Sequence, residues 1–257
     1  MILDTIIETK KEEVARLKQK TTLSKLQETI AGLEPCRNFR RALKDSVCNI
    51  IAEVKCASPS RGRFIEDFDP VRIAGIYDKN GASAISVLTD EKYFAGHNNY
   101  LMQIKQNVNL PLLRKDFIID LMQLYETRAI GADAVLLIVR VLGKRLAEFI
   151  LLSRELGLSS LVEIHTDKEM EIALEAGAEI IGINNRNLDT FVTDIEASRR
   201  LKVLIPEDKI VVAESGIKER SDIESLMRAG INAFLIGEHL ITAPDIGYKL
   251  RVFRGEN

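Results

Sequence analysis

A chain of 257 residues with 46% hydrophobic and 29% charged side chains can bury a sizeable core, which excludes a disordered chain. Its net charge of −2 and pI near 6.0 exclude a general electrostatic grip on nucleic acid, while leaving room for a local basic pocket that takes a small anion. No stretch reaches the roughly 18 unbroken apolar residues of a membrane span, and the acid-containing opening M-I-L-D-T-I-I-E does not read as a signal peptide. The sparse Cys36, Cys48 and Cys56 have no C-x-x-C spacing, so a reducing cytoplasm is expected, without a disulfide framework or a thiol-bound metal.

Residues 2 to 19 place Leu3, Ile7, Val14 and Leu17, with Ile6 beside them, at helical spacing. Lys10, Lys11, Glu12, Glu13, Lys18 and Lys20 are expected on the solvent face. A second helix is expected near Leu23–Ala31 and a short one over Asn38–Lys44, past the break at Pro35. This front section has no strand and reads as a helical extension, residues 1–44, before a repeating core. The core, residues 45–257, alternates strand-like and helix-like segments. The strand candidates are Asn49–Lys55, Ser83–Leu88, Pro111–Lys115, Ala134–Val139, Ser160–Ile164, Glu179–Ile183, Lys209–Ala213 and Asn232–Ile236. Runs such as A-V-L-L-I-V are continuous, as expected for strands covered by helices. Helical stretches lie between and after them, over Pro70–Lys79, Leu121–Ile130, Lys144–Leu156, Asp167–Ala176, Asp194–Val203, Lys218–Arg228 and Asp245–Phe253. Eight β-α units predict an α/β fold, a (β/α)8 TIM barrel in one domain with an N-terminal helical extension. An open doubly wound sheet is the alternative, disfavoured because no G-x-G-x-x-G follows any strand.

In such a barrel the site lies where strands end. The first strand offers Glu53 and Lys55, two residues apart and so on one side of the strand. Burying either charge unpaired costs of order several kcal/mol, which suggests a site. The third strand ends in Lys115, the fifth in Glu163, the sixth in Asn184 and Arg186, and the seventh in Glu214 and Ser215. Ser215-Gly216 and Gly237-Glu238 follow neighbouring strands, with a short helix expected from Glu238, the arrangement with which barrels hold phosphate on backbone N–H groups. His97, His165 and His239 read as surface or capping residues, and none has a metal-ligand spacing. There is no G-x-S-x-G elbow for a serine nucleophile.

These stretches together resemble the indole-3-glycerol-phosphate synthase family. The resemblance runs through I-A-E-V-K-x-x-S-P-S-x-G (51–62), S-V-L-T-D-E-K-Y-F-x-G (86–96), L-R-K-D-F-I-I-D (113–120), A-D-A-V-L-L-I-V (132–139), L-V-E-I-H (161–165), G-I-N-N-R-N-L (182–188), V-A-E-S-G-I (212–217) and L-I-G-E (235–238). The opening I-L-D-x-I-x-x-x-K-K-E-E-V resembles the family's N-terminal extension. The resemblance implies a cofactor-free and metal-free decarboxylating ring closure in tryptophan biosynthesis. The substrate would be 1-(2-carboxyphenylamino)-1-deoxyribulose 5-phosphate, and the products indole-3-glycerol phosphate, carbon dioxide and water.

By the same resemblance Lys115 polarises or protonates the ketone oxygen, and Glu163 and Lys55 serve the dehydration. Glu53, Asn184 and Arg186 orient substrate and lysines. Glu214, Ser215, Gly216, Gly237 and Glu238 belong to the substrate-binding set, with the phosphate on backbone N–H groups and the Glu238 side chain expected to point away from it. Ser58 and Pro59, in the turn with Ser60, and Phe94, Phe117, Leu136 and Ile138 are candidates to wall the aromatic ring. The implied partner is a phosphorylated small molecule, with no nucleic acid and no membrane. A monomer is expected, with a homodimer as the alternative. Cys56 stands where the family often has a basic residue and His239 where a small one is common. Two rivals are a sibling barrel such as phosphoribosylanthranilate isomerase, which is shorter and uses a cysteine and an aspartate, and a non-catalytic sugar-phosphate binder.

Overall fold

The computed structural model describes residues 2–59, 61–187 and 192–256. Ser60 of the expected ring-wall turn and Leu188 of the G-I-N-N-R-N-L stretch lie outside them. Eight parallel strands close into a barrel in chain order: β1 (Asn49–Val54), β2 (Ala84–Leu88), β3 (Leu112–Lys115), β4 (Ala134–Ile138), β5 (Ser159–Ile164), β6 (Ile180–Asn184), β7 (Ile210–Glu214) and β8 (Ala233–Ile236). Closure comes from β1 pairing β8 in the register Asn49↔Ala233 on one side and β2 as Ile51↔Ala84 on the other. A small antiparallel hairpin, Ala57–Ser58 with Gly62–Arg63, follows β1.

The strands' period-2 alternation sorts the barrel into two apolar layers. Ile50, Ala52 and Val54 of β1, with Ile85, Val87, Val135 and Leu137, face outward into the helices. Ile51, Leu113, Leu136, Leu161, Ile180, Val212 and Leu235 form the inner layer. Glu53, Lys115, Glu163 and Glu214 each stand one pleat above an inner-layer residue (Ile51, Leu113, Leu161 and Val212). One periodicity therefore fills the barrel with hydrocarbon and crowns it with charge.

Ahead of the barrel lie α1 (Ile2–Lys20), α2 (Leu23–Ala31) and α3 (Phe39–Ala42). Phe39 and the following Leu43 are buried within the inner layer and plug the barrel's lower end. The core helices are α4 (Pro70–Lys79), α5 (Glu91–Phe94), α6 (Asn98–Asn107), α7 (Leu121–Ala129), α8 (Val139–Leu142), α9 (Leu146–Glu155), α10 (Asp167–Glu175), α11 (Glu196–Lys202), α12 (Arg220–Arg228), α13 (Glu238–Ile241) and α14 (Ile246–Arg254). Each expected strand bound holds to within one residue. The fourth strand stops at Ile138 because Val139 already starts α8, and the seventh runs on to Glu214, pairing Asn184 with Glu214. The polar N-N-Y-L-M-Q-I-K-Q-N run over 98–107 carries few periodic apolar residues, yet the second β-α unit needs a helix there. The structure forms α6 there, with the His97 ring accepting from the Asn99 N–H as a cap and Leu101 and Ile104 buried.

Lys10 is also not on the solvent face. Its side chain is 1% exposed, with Asp90 Oδ2 at 2.7 Å, Asp116 Oδ1 at 2.8 Å and Glu13 Oε2 at 2.8 Å. Asp90 follows β2 and Asp116 follows β3, so this lysine ties the front helix to the C-terminal ends of the strands. Helical spacing alone does not show it, because a lysine on the margin of an apolar stripe buries when carboxylates await it.

Candidate active site

The strand ends surround a cavity of about 740 Å³, within the range of small-molecule sites. The candidate site residues among the described ones line it: Glu53, Lys55, Ser58, Pro59, Phe94, Lys115, Phe117, Leu136, Ile138, Glu163, Asn184, Arg186, Glu214, Ser215, Gly216, Gly237 and Glu238. Ile2, Leu3 and Ile6 of α1, with Arg61 and Lys218, also line it and were not foreseen. The apolar stripe of α1 was legible, but the cavity it faces was not.

The floor is ionic. Lys55 Nζ lies 2.7 Å from Glu53 Oε1, so the two charges that share one side of β1 pair with each other. Lys115 Nζ lies 3.0 Å from Glu214 Oε2 and 3.6 Å from Glu163 Oε2. Burial works to lower the Lys115 pKa, but the carboxylates of Glu214, Glu163 and Glu53 outweigh it and push it above the ordinary lysine value. Lys115 is therefore an ammonium at neutral pH. Burial works to raise the Glu53 carboxyl, and Lys55 first, then Lys115 and Arg186, bring it below its usual value. Glu214 goes the other way. Burial, with repulsion from Glu163 and Glu53, pushes it up to about 7 despite Lys115 beside it.

Two glycines make space for these acids. A methyl group on Gly182 of β6 would run into Glu214 Oε1, and one on Gly237 after β8 would run into Glu53 Oε1. Gly237 thus serves the acid floor as well as the turn into α13.

One wall is apolar and aromatic. The Phe94 and Phe117 rings sit 6.3 Å apart between centroids, and Leu136, Ile138, Leu3 and Ile6 lie in the same lining. The opposite side is a tight turn. Ser215 has φ 64° and Gly216 φ 81°, so two successive residues after β7 are left-handed. For serine that conformation is uncommon and is held from outside. Asn185 donates from Nδ2 to the Ser215 carbonyl at 3.0 Å, and its Oδ1 accepts from Ser198. Asn185 was overlooked beside its neighbour Asn184, whose Oδ1 accepts from the Arg186 N–H at 3.0 Å.

The Glu238 carboxylate lies in the cavity lining. It pairs with Arg61 Nη1 at 2.9 Å and faces Arg186 Nη2 at 3.8 Å, because two guanidinium groups offer it partners there. His165 is neither a surface nor a capping residue: its ring is enclosed among Glu163, Glu169 and the end of β5.

The chain matches the family model described as indole-3-glycerol phosphate synthase over residues 3–253. It is 49% identical over 257 residues to an indole-3-glycerol phosphate synthase of Alkaliphilus metalliredigens, covering 99% of this chain and 98% of the relative. It is 50% identical over 256 residues to one of Dehalococcoides mccartyi, covering 98% and 99%. Among solved structures, a thiamine phosphate pyrophosphorylase from Pyrococcus furiosus shares the fold, with a TM-score of 0.61, 15% identity and coverage of 85% of this chain and 96% of that one.

Proposed function

The chain belongs to the indole-3-glycerol phosphate synthase family, a family of decarboxylating lyases in tryptophan biosynthesis, and from that premise we propose how this site carries out the ring closure. The substrate presents an anthranilate ring, a ketone-bearing sugar chain and a phosphate. Phe94, Phe117, Leu136 and Ile138, with Ser58 and Pro59 at the mouth, take the ring. The backbone N–H groups around Ser215, Gly216 and Gly237 take the phosphate, with Arg186 nearby. The left-handed turn at Ser215 supports this, since strained backbone persists where a ligand needs its N–H groups aimed.

Bound this way, the substrate chain crosses the ionic floor. The ring carbon attacks the ketone, and the developing alkoxide receives a hydrogen bond and then a proton from the Lys115 ammonium. An alkoxide is more basic than an amine, so this transfer runs downhill even from a lysine whose pKa is raised. Carbon dioxide leaves from the ring carbon that attacked, restoring the electron pair to the ring. The new hydroxyl then leaves as water, which needs an acid on the oxygen and a base on the proton lost. Glu163 and Lys55 share these roles. Glu53 holds Lys55, and Glu214 holds Lys115 against Glu163.

The observation that carries this reading is the Lys115 ammonium between Glu214 and Glu163, at the floor of a cavity aromatic on one side and turn-lined on the other. The test is direct. The purified protein, given the carboxyphenylamino-deoxyribulose phosphate without added metal, should develop indole fluorescence with release of carbon dioxide. Absence of product from folded protein overturns the reading. A cytoplasmic setting is supported by three free thiols.

A further inference from the structure

Lys115 and Glu163 do not end the chain of charge on the floor. Glu163 turns Oε2 toward Lys115 at 3.6 Å and Oε1 toward His165 Nε2, also at 3.6 Å. The other imidazole nitrogen, Nδ1, faces Glu169 Oε2 at 3.4 Å, and that same oxygen accepts from the His165 backbone N–H at 2.6 Å. The His165 side chain is 11% exposed, and neither ring nitrogen completes a hydrogen bond among the described residues. An enclosed imidazole with a carboxylate against each nitrogen is neither core filler nor surface decoration. Apolar filler would leave two acids facing hydrocarbon, and a surface histidine would point outward.

We propose that His165 is a positioning residue that, backed by Glu169, holds the Glu163 carboxylate in its place against Lys115 as an imidazolium. The inference rests on Glu163 acting in the dehydration. Three carboxylates face the ring from three elements: Glu163 from its own strand β5, Glu169 from α10 and Glu214 from β7. The cations nearest these acids are Lys115 of β3, beyond Glu163, and Arg140 of α8, which acts on Glu169. Burial works to lower the His165 pKa, but Glu169, Glu163 and Glu214 outweigh it and hold it above 6.5. The three acids thus favour the cation, which is lost as pH rises through that raised value.

The consequence is an alkaline limb in the pH profile of kcat that belongs to His165. Two variants read it. Glu169→Gln keeps an oxygen for the His165 N–H but removes the charge, so the limb should move to lower pH while kcat at pH 6 stays within about twofold. His165→Gln should abolish the limb and lower the plateau by about tenfold, with KM changed less than kcat. The imidazole of His165, followed by NMR, should titrate at the pH of the limb in the wild-type protein. A limb that stays in place in Glu169→Gln overturns the proposal, as does a folded His165→Gln with wild-type kcat and profile. If His165→Gln does not fold, Glu169→Gln alone decides. Failure of the underlying reading looks different: Glu163→Gln would then turn over normally, whatever the two variants do.

Discussion

Two buried lysines, Lys10 and Lys115, each gather carboxylates at the same end of the barrel, and they are built for opposite ends. Lys10 is 1% exposed and has three acids within 2.8 Å, two of them from loops that follow adjacent strands. Lys115 is 18% exposed, with one acid at 3.0 Å and another at 3.6 Å, and it opens onto the cavity. Around Lys10 the neighbouring acid moves with its partner: burial works to raise Asp116, and Lys10 and Arg114 pull it below the usual carboxylate range. Around Lys115 the neighbouring acid is left unresolved: Glu214 is held up near 7, and its Oε1 has no hydrogen-bond partner among the described residues. A closed ion cluster fixes geometry, whereas one with an acid poised between charge states and an open side meets substrate.

The matched substitutions to methionine should therefore fail in different ways. Lys115→Met should lower kcat by about 10³-fold or more while substrate still binds, since the proton donor to the alkoxide is gone. Its thermal midpoint should fall less than that of Lys10→Met, because Glu214 already binds a proton readily. Steady-state kinetics with a binding titration checks this, and near-normal turnover removes Lys115 from the acid role. Lys10→Met strands Asp90, Asp116 and Glu13 around a neutral side chain. Breaking a buried cluster from one side costs about 3 to 5 kcal/mol. Urea unfolding should show that loss, while kcat per folded molecule stays within severalfold. A stable Lys10→Met with kcat lost would erase the contrast.

The pH response of stability separates the two clusters again. Glu214 has an ordinary value of 4.5 and a folded value of about 7. The folded state therefore binds this proton more tightly than the unfolded one. The stability it contributes is complete below about 4.5 and is lost as pH rises through about 7. Glu214→Gln cannot titrate, so its stability relative to wild type should improve from pH 5 to pH 8 by on the order of 2 kcal/mol. Parallel urea curves at the two pH values measure it, and a constant difference would show that Glu214 is already ionised at pH 5.

Much of this was legible in the chain. The alternation of β1 put Glu53 and Lys55 on one side, and continuous apolar runs marked the strands, because both depend on neighbours in sequence. What was not legible depends on neighbours in space. Lys10 reads as a surface lysine until Asp90 and Asp116 arrive from loops far along the chain. His165 reads as a strand-end residue until α10 folds Glu169 against it. The α6 helix has a weak local pattern, and burial of Leu101 and Ile104 stabilises it. The role of Ile2, Leu3 and Ile6 in the cavity wall follows from the anchoring of α1 by Lys10, and so was hidden with it.

The smallest change able to disturb the open cluster without touching a charge is one methyl group at Gly182. This glycine lies on β6 beside β7, paired with Val212, and its missing side chain leaves the space that Glu214 Oε1 occupies. A Cβ there would also crowd Glu214 Cδ and Leu161 Cδ1, each at 3.2 Å. Its φ is not in the left-handed region, so alanine meets no backbone strain and should gain a few tenths of a kcal/mol or more in the unfolded-state term. The Glu214 side chain has to turn, taking its Oε2 away from Lys115, and Lys115 then leans on Glu163 alone. Gly182→Ala should lower kcat by about tenfold, since displacements near 1 Å in a positioned acid cost this much or more. Gly75→Ala on α4, where a methyl group meets nothing within 4 Å, is the control and should leave kcat unchanged. Equal kinetics for the two alanine variants would mean that Lys115 does not depend on where Glu214 holds it.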